Sequence, residues 1–447
     1  MKIRFAVLHP AQALVAGFAA VIGAGTVALL LPFSHAPGRQ TSFTDALFTA
    51  TSAACVTGLA VVDTATHWSR FGQLVILGLI QLGGFGVMTF ASVGILVVSR
   101  RIGLRMRIFA QAGVGVLSLG DVRRILRAIV ALTVIAETSA TVLLTLRLWI
   151  AYDESFGSAL WHGLFHSVSA WNNAGFALYS DSLTRFASDW YVSGVIGVTI
   201  IGGGLGFPVW LELWDRFQRR SARNVTLHTR LTLLSTAALL AVGTVTVLAF
   251  EWGNAATLGP LDVPGKFVAG FFQGVMPRTA GFNSVDYSQM HDATLLVTMV
   301  LMFIGAGSAS TGGGIKVSTV AVIALIAWAE VRGRRDVSAF RRRIPEAAQR
   351  QAVSVAIIFS IAVFVSTLLL SGLSPHSVRD SLFESFSAVG TVGLSLGITS
   401  GLDASARLVL VLMMFLGRVG AITVGTALVL QEQRRMFRYP EERPIVG

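Results

Sequence analysis

The sequence Phe383-Glu-Ser-Phe-Ser-Ala-Val-Gly390-Thr391-Val392-Gly393-Leu394 places an aromatic residue ten positions before a glycine, and a bulky apolar residue directly after it. The same pattern occurs at three earlier places in the chain. The four copies are Phe48/Gly58/Leu59, Phe165/Gly175/Phe176, Phe271/Gly281/Phe282 and Phe383/Gly393/Leu394. Four matches whose glycines lie roughly 106 to 117 residues apart indicate four tandem units.

The composition places these units in a membrane. Of the 447 residues, 53% are hydrophobic and 13% are charged, and the mean hydropathy is +0.70, which exceeds what a soluble fold can bury. The net charge of +12 comes from arginines in short runs between apolar segments. This pattern is typical of loops beside an anionic leaflet and not of a nucleic-acid-binding protein. The single cysteine, Cys55, excludes an intramolecular disulfide, and no Cys/His cluster has metal-ligand spacing.

Eight apolar segments are long enough to span a bilayer, and the first is too long for a signal peptide. They lie at 11–33, 71–99, 125–150, 189–214, 229–251, 292–329 with an interruption, 351–372 and 405–430. An even number of spans puts both termini on one side. The basic runs all fall on that side, at Lys2/Arg4, 100–127, 216–230, 332–343 and 434–443. The positive-inside rule identifies this side as the cytoplasm.

Within each unit, an apolar segment too short to cross the bilayer lies between the two spans. These segments are 43–54, 157–170, 263–276 and 378–389, and about 10 to 14 apolar residues suggest a re-entrant helix. Non-helical backbone at membrane depth is tolerated only where protein buries it or where it lines a watery cavity. The sequence therefore predicts an all-α polytopic membrane protein with a pore or binding chamber. Its units are 1–107, 108–224, 225–343 and 344–447.

The residues around the four glycines suggest a filter for a monovalent cation. The segments are Cys55-Val56-Thr57-Gly58, Asn172-Asn173-Ala174-Gly175, Arg278-Thr279-Ala280-Gly281 and Gly390-Thr391-Val392-Gly393. A cation filter needs inward carbonyl oxygens, and small residues let the backbone approach closely. Thr391-Val392-Gly393 matches the start of the potassium-channel filter pattern. The four segments contain no Asp or Glu, so selectivity for divalent ions is not expected. Each short helix would also aim its negative C-terminal end at the cavity.

The sixth span is interrupted by a glycine-rich stretch that cannot remain a stable helix. It comprises Gly305, Ala306, Gly307, Ser308, Ala309, Ser310, Thr311, Gly312, Gly313 and Gly314, and Lys316 follows. A phosphate-binding loop is excluded, because Val317 and not Ser or Thr follows the lysine and the glycine spacing is wrong. We expect a flexible intramembrane loop.

Over essentially its full length, the chain resembles the membrane subunit of the Trk/Ktr/HKT superfamily of potassium transporters. The resemblance implies four units around one pseudo-fourfold pore, with K⁺ at the filter glycines Gly58, Gly175, Gly281 and Gly393. It implies a gating loop at 305–314 and an arginine, Arg418, in the pore near that loop. Because the chain enters its first unit almost at once, it looks like the shorter bacterial Ktr type.

The resemblance further implies gated K⁺ uptake without covalent chemistry or an organic cofactor in this chain. It implies a homodimer and a cytoplasmic ring of RCK-type regulatory subunits that bind ATP or ADP, with Na⁺ as a candidate activator. The Arg-rich loops are available for docking that ring, although anionic membrane lipid explains them equally well. Some relatives that favour Na⁺ carry serine at the first filter position, so Gly58 favours K⁺. A Na⁺ or Na⁺/K⁺ transporter of the same fold is the alternative.

Several charged residues in apolar segments allow two interpretations. Arg418 is interpreted as a barrier or gate anchor, against an ordinary interhelical contact, and Lys316 as either a gate contact or a cytoplasmic anchor. Arg278 is interpreted as a brace behind the filter, and Glu137 as a partner for polar groups of a neighbouring helix. An intramembrane enzyme that uses His162, His166 and Ser167 is a remote alternative, since no acidic residue or metal ligand occurs at a spacing typical of a catalytic site.

Overall fold

A computed structural model describes residues 10–101, 119–218 and 225–430 of the chain. Lys2/Arg4 and the basic run at 434–443 lie outside the described residues. So do parts of the runs at 100–127 and 216–230, together with the predicted unit boundaries near residues 107 and 224.

The described chain is mostly helical, and its helices follow the order of the four predicted units. The first unit contains α1 (Pro10–Leu30), α2 (Phe43–Ala54) and α3 (Arg70–Arg101). The second contains α4 (Leu119–Ala151), α5 (Phe156–Trp171), α6 (Trp190–Leu205) and α7 (Phe207–Phe217). The third contains α8 (Leu227–Glu251), α9 (Val263–Val275), α10 (Asp292–Phe303), α11 (Val317–Val331) and a hairpin of β1 (Ser338–Ala339) and β2 (Arg342–Arg343). The fourth contains α12 (Glu346–Leu373), α13 (Val378–Gly390) and α14 (Ala404–Leu430).

The short helices α2, α5, α9 and α13 lie where the sequence predicts re-entrant segments, with ends within one residue of the predictions. All four begin in the same way. The N-cap side chain accepts a hydrogen bond from the backbone N–H three residues on, which satisfies one of the free donors of the first turn. The four N-cap residues are Ser42, Ser155, Asp262 and Ser377.

Among the described residues, three helical segments are long and apolar enough to cross a membrane, namely Leu126–Ala151, Leu227–Glu251 and Glu346–Leu373. The pair α6 and α7 forms a fourth if the two helices count as one bent span. Shorter apolar helices are Leu14–Leu30, Arg70–Gly86, Asp292–Phe303 and Val317–Val331. These segments overlap seven of the eight predicted spans, and the number of spans stays a prediction.

The four units contact one another in a closed order. Helix α3 packs against α4 and α5, α6 against α9, α10 against α13, and α14 against α1 and α2. Each unit therefore touches the next, and the fourth touches the first. This arrangement brings the C-terminal ends of the four short helices to the middle of the molecule.

Two local predictions were wrong. The segment at 189–214 was predicted as one continuous span, but it bends by 97° between α6 and α7. Gly206 at the bend has a φ of +90°, and a Cβ there would strike the carbonyl oxygen of Ser308. In the third unit, Phe271 was aligned with the other aromatic residues, yet it is 39% exposed while the neighbouring Phe272 is fully buried. The repeat is therefore out of register by one residue in α9.

Candidate ion pathway

The four segments that follow the short helices share one backbone conformation. In each, the residue two positions before the glycine has a positive φ, and so does the glycine itself. The φ values two positions before the glycine are 56° at Val56, 57° at Asn173, 64° at Thr279 and 49° at Thr391. At the glycines they are 93° at Gly58, 72° at Gly175, 74° at Gly281 and 93° at Gly393. Positive φ is unfavourable for residues with a Cβ and is common at binding sites. Four segments that differ in sequence therefore adopt the same uncommon backbone conformation.

The four glycines form a closed ring. A Cβ built on each glycine would lie close to the Cα of the next glycine, at 3.1 Å from Gly58 to Gly175, 2.8 Å from Gly175 to Gly281, 3.2 Å from Gly281 to Gly393 and 3.1 Å from Gly393 back to Gly58. Each such Cβ would also meet the carbonyl oxygen of the residue before the next glycine. These carbonyls belong to Ala174, Ala280, Val392 and Thr57. The ring is therefore built of backbone alone and has no room for a side chain.

Hydrogen bonds from the short helices hold the ring in place. The Ser52 hydroxyl accepts from the N–H of Gly58 at 3.1 Å, and the Ser387 hydroxyl accepts from the N–H of Gly393 at 3.0 Å. Ser169 occupies the same position in the second unit, but its hydroxyl donates to the carbonyl of Phe176 at 2.8 Å. The third unit has Val275 at this position. The serine six residues before the glycine is a functional signal that the sequence interpretation missed, although it recurs in three of the four units.

A cavity of about 380 Å³ opens at the ring, among the residues that follow the four glycines in the chain. All four ring glycines line it, together with hydroxyl and amide groups and the carboxylates of Asp63 and Asp286. Asp63 accepts hydrogen bonds from Ser180 and Thr66, and Asp286 from the N–H of Ser288. Neither carboxylate has an ion-pair partner among the described residues. The cavity therefore presents negative charge at the mouth of the ring.

The first residue of each predicted filter segment contacts protein behind the ring. Cys55 is buried in an apolar cluster with Phe48 and Leu59. The side-chain amide of Asn172 donates to Gln81 at 2.8 Å and to Glu137 at 3.1 Å.

The other two such residues, Arg278 and Gly390, meet the third unit. The Arg278 guanidinium lies 3.5 Å from the carbonyl oxygen of Gly305, and a Cβ on Gly390 would lie 2.7 Å from the carbonyl oxygen of Met302. The roles of Arg278 and Glu137 stay predictions.

The glycine-rich stretch 305–314 forms a non-helical loop between α10 and α11, directly beneath the ring. A Cβ on Gly312 would strike the hydroxyl of Thr279, and one on Gly313 would strike that of Thr391. Neither of these threonine hydroxyls has a hydrogen-bond partner in the described structure. The loop backbone therefore covers the underside of the ring at the positions where two filter threonines face it.

Thr311 connects this loop to the other units. Its hydroxyl donates to the carbonyl oxygen of Trp171 and lies 3.1 Å from the Asn173 side-chain oxygen, both in the second unit. Its own carbonyl accepts a hydrogen bond from Arg418 in the fourth unit. Arg418 is 2% exposed, and its second terminal nitrogen donates to the carbonyl of Gly83 in the first unit at 2.8 Å. One arginine and one threonine thus join all four units.

Other parts of the loop are also fixed. Lys316 Nζ donates to the carbonyl oxygen of Gly312 at 2.6 Å. The N–H of Gly305 donates to Ile315 and that of Gly307 to Gly204. Ser308 bonds to the Ser318 hydroxyl at 2.9 Å, while Ser310 is buried. Gly314 has a φ of +64° at the end of the loop.

Each of the residues that suggested an enzyme has a separate partner. His162 contacts Glu154 at 2.8 Å, whereas His166 bonds to the carbonyl of His162 through Nδ1 and to the N–H of Leu178 through Nε2. The Ser167 hydroxyl donates to the carbonyl of Glu137 and not to a histidine. The described residues contain no group of three or more metal-ligating side chains.

These features define a multi-pass membrane protein in which four related units surround one narrow, backbone-lined path. The chain matches the family model described as TrkH, cation transport protein, over residues 1–439, and it therefore belongs to this family. It is 41% identical to the Ktr system potassium uptake protein B of Bacillus subtilis, covering 98% of this chain and 97% of that protein. It is 36% identical to the potassium/sodium uptake protein NtpJ of Enterococcus hirae, covering 98% of each.

The fold is confirmed by a solved structure, the potassium transporter TrkH of Vibrio parahaemolyticus. The TM-score is 0.69 at 18% sequence identity, with 97% of this chain and 87% of that chain covered.

Proposed function

We propose that this chain takes up potassium across the cytoplasmic membrane through a gated, channel-like pore, as the translocating subunit of a Ktr-type system. The closed ring of four glycine backbones carries the proposal, because it offers carbonyl oxygens from four sides and excludes side chains. Relatives named as potassium uptake proteins support the choice of ion.

The four segments 55–58, 172–175, 278–281 and 390–393 act as the filter. K⁺ arrives from the outer cavity, where Asp63 and Asp286 raise the local concentration of cations. It sheds water as backbone carbonyls take the place of its hydration shell. The hydroxyls of Thr279 and Thr391, which have no hydrogen-bond partner among the described residues, supply further oxygens at the inner end of the filter.

The loop at 305–314 is the gate in this mechanism. In the observed conformation it covers the filter, and Arg418 and Lys316 hold it there through hydrogen bonds to its carbonyls. Conduction requires the loop to move aside, which breaks these bonds. Each hydrogen bond from a charged donor contributes about 1.5–3 kcal/mol, so a few of them suffice to keep the path closed. The driving force is the electrochemical gradient, and no covalent step is involved.

Potassium uptake by cells that lack their own uptake systems tests the proposal. The wild-type chain, expressed with its partner subunit, should restore growth at low K⁺. Gly281→Ala should abolish it, because its Cβ would lie 2.5 Å from the carbonyl of Val392 at a φ of +74°. Gly401→Ala is the matched control, since a Cβ there meets nothing within 4 Å. Equal uptake by Gly281→Ala and the wild type at equal expression would contradict the filter assignment.

A second candidate is a transporter that passes Na⁺ as well as K⁺, and the similarity to a potassium/sodium uptake protein favours it. Gly58→Ser separates the two. The serine Cβ would strike the carbonyl of Ala174, which must move outward. We expect the K⁺ preference in isotope flux to fall in this variant. An unchanged ratio of K⁺ to Na⁺ flux would show that Gly58 does not set selectivity.

Regulation belongs to further subunits in this proposal. The relatives are named as members of a Ktr system, which supports a complex of several subunits. We place a homodimer of this chain in the inner membrane with both termini in the cytoplasm, docked on an RCK-type ring that binds ATP or ADP. Na⁺ acts as an activator. Copurification of the chain with such a ring tests the proposed complex, and a chain that purifies without any ring protein would contradict it.

A further inference from the structure

The turn and the second strand of the hairpin of β1 and β2 line a second cavity, which shares no lining residue with the cavity at the ring of glycines. It has a volume of about 570 Å³, and Val225, Leu227, Arg230, Phe340, Arg341 and Arg342 line it. Val337 and Ile344, on either side of the hairpin, pack against Ala329 of α11 and Leu227 of α8. The hairpin is thus fixed to the ends of two apolar helices, on the side that the positive-inside rule assigns to the cytoplasm. The cavity lies at the boundary between membrane and water.

The charges around this cavity are unbalanced. Arg230, Arg341 and Arg342 form no ion pair with any carboxylate in the described part of the chain. Arg343, the next residue on β2, differs: it pairs with Asp336 at 3.0 Å and lies 4.0 Å from Glu346. Neighbouring residues on a strand point to opposite faces, so the neutralised arginine faces away from the cavity. Three cationic side chains remain to attract an anion.

The turn of the hairpin adopts an unfavourable conformation. Phe340 and Arg341 form a two-residue turn with φ of 50° and 62°, a geometry for which Asn-Gly is the preferred sequence. A positive φ is unfavourable for both Phe340 and Arg341, because each has a Cβ. Both line the cavity, and the Arg230 guanidinium lies 5.7 Å from the centre of the Phe340 ring. The two turn positions thus carry an aromatic and a cationic side chain, although neither residue type is preferred in this turn.

We propose that this cavity binds the phosphate headgroup of an anionic lipid from the inner leaflet. The three arginines match a phosphate in charge, and guanidinium groups bind phosphate oxygens with two parallel hydrogen bonds. Val225, Leu227 and the 43% exposed Phe340 add an apolar wall, which suits the glycerol and upper acyl region of a lipid. A soluble anion would gain nothing from that wall. The proposal is independent of the transported ion.

Binding of phosphatidylglycerol and phosphatidylcholine to the purified full-length chain, measured by native mass spectrometry over a lipid titration, tests this site. We expect phosphatidylglycerol to bind more tightly. Arg341→Gln and Arg342→Gln should each weaken it about fivefold, which corresponds to about 1 kcal/mol for one arginine near an anionic headgroup. The matched control, Arg343→Gln on the opposite face, should leave it unchanged.

A variant with a better turn guards against loss of folding. Phe340→Asn combined with Arg341→Gly supplies the preferred turn sequence, so its melting temperature should equal or exceed that of the wild type while phosphatidylglycerol binding weakens at least fivefold. Equal binding in this variant and the wild type would overturn the proposal. Displacement of phosphatidylglycerol by an equal concentration of glycerol 3-phosphate would also overturn the proposal, because the ligand would then be a soluble phosphate. The proposal would also be overturned if the arginine variants bound phosphatidylglycerol normally but no longer bound the regulatory ring, since the surface would then bind protein.

Discussion

Removing the guanidinium of Arg418 should open the path. This side chain is buried and donates to the carbonyls of Thr311 and Gly83, so it joins the intramembrane loop to α3 across the underside of the ring. Arg418→Gln shortens the side chain and removes its charge. We expect the loop to lose its strongest link to the first unit while the filter above it stays intact.

The size of the effect follows from the bond that is lost. A hydrogen bond from a charged donor is worth about 1.5–3 kcal/mol. Taking about 2 kcal/mol for the Thr311 contact, the ratio of open to closed loop rises about thirtyfold. Arg418→Lys retains the charge but has a single donor group, so it separates anchoring from electrostatic repulsion. If anchoring dominates, both variants conduct faster; if repulsion dominates, only Arg418→Gln does.

The assay is K⁺ flux into proteoliposomes that contain purified protein, with the melting temperature recorded for each variant. Arg379→Gln serves as the control, because this exposed arginine pairs with Asp292 at the molecular surface. Flux that equals the wild-type value in both Arg418 variants, in protein that melts normally, would refute the role of this residue in the gate.

Three further predictions concern the same path. Ser387→Ala removes the acceptor for the Gly393 N–H and should cost about 1 kcal/mol of stability, with a measurable loss of K⁺ over Na⁺ selectivity in flux assays; unchanged selectivity would show that this serine does not hold the filter. Deleting part of 308–313 should raise flux severalfold in proteoliposomes, and unchanged flux would count against the gate. Glu384→Ala leaves the Thr399 hydroxyl without its acceptor and should lower the unfolding free energy by about 1–3 kcal/mol, whereas Glu384→Gln retains an acceptor and should melt close to the wild type.

The sequence predicted the short helices well because their signals are local. An apolar segment of limited length and a glycine at a fixed distance are visible without knowledge of the tertiary fold. The pseudo-fourfold arrangement was expected from the family resemblance, whereas the repeat alone predicted four re-entrant loops around a pore or binding chamber. The side chains behind the ring were harder to assign, and Ser52 and Ser387 were missed although they repeat.

The bend at Gly206 was missed although the local pattern indicates it, since Gly206 ends α6 and Pro208 lies in the first turn of α7. The close approach of Ser308 to Gly206 was not predictable in this way, because Ser308 lies about a hundred residues later in the chain. The same holds for Thr311, whose partners Trp171 and Arg418 belong to other units. The shift from Phe271 to Phe272 likewise depends on how α9 packs, because both residues are phenylalanine and the sequence offers no means to choose between them.

The central claim is that the four glycines surround one site for K⁺, and ion density tests it most directly. A structure of the protein in K⁺, with Rb⁺ or Tl⁺ as an anomalous substitute, should show peaks on the axis of Gly58, Gly175, Gly281 and Gly393. The coordinating oxygens should be backbone carbonyls of the four segments. An axis without ion density, or ions bound only outside the ring, would contradict the account.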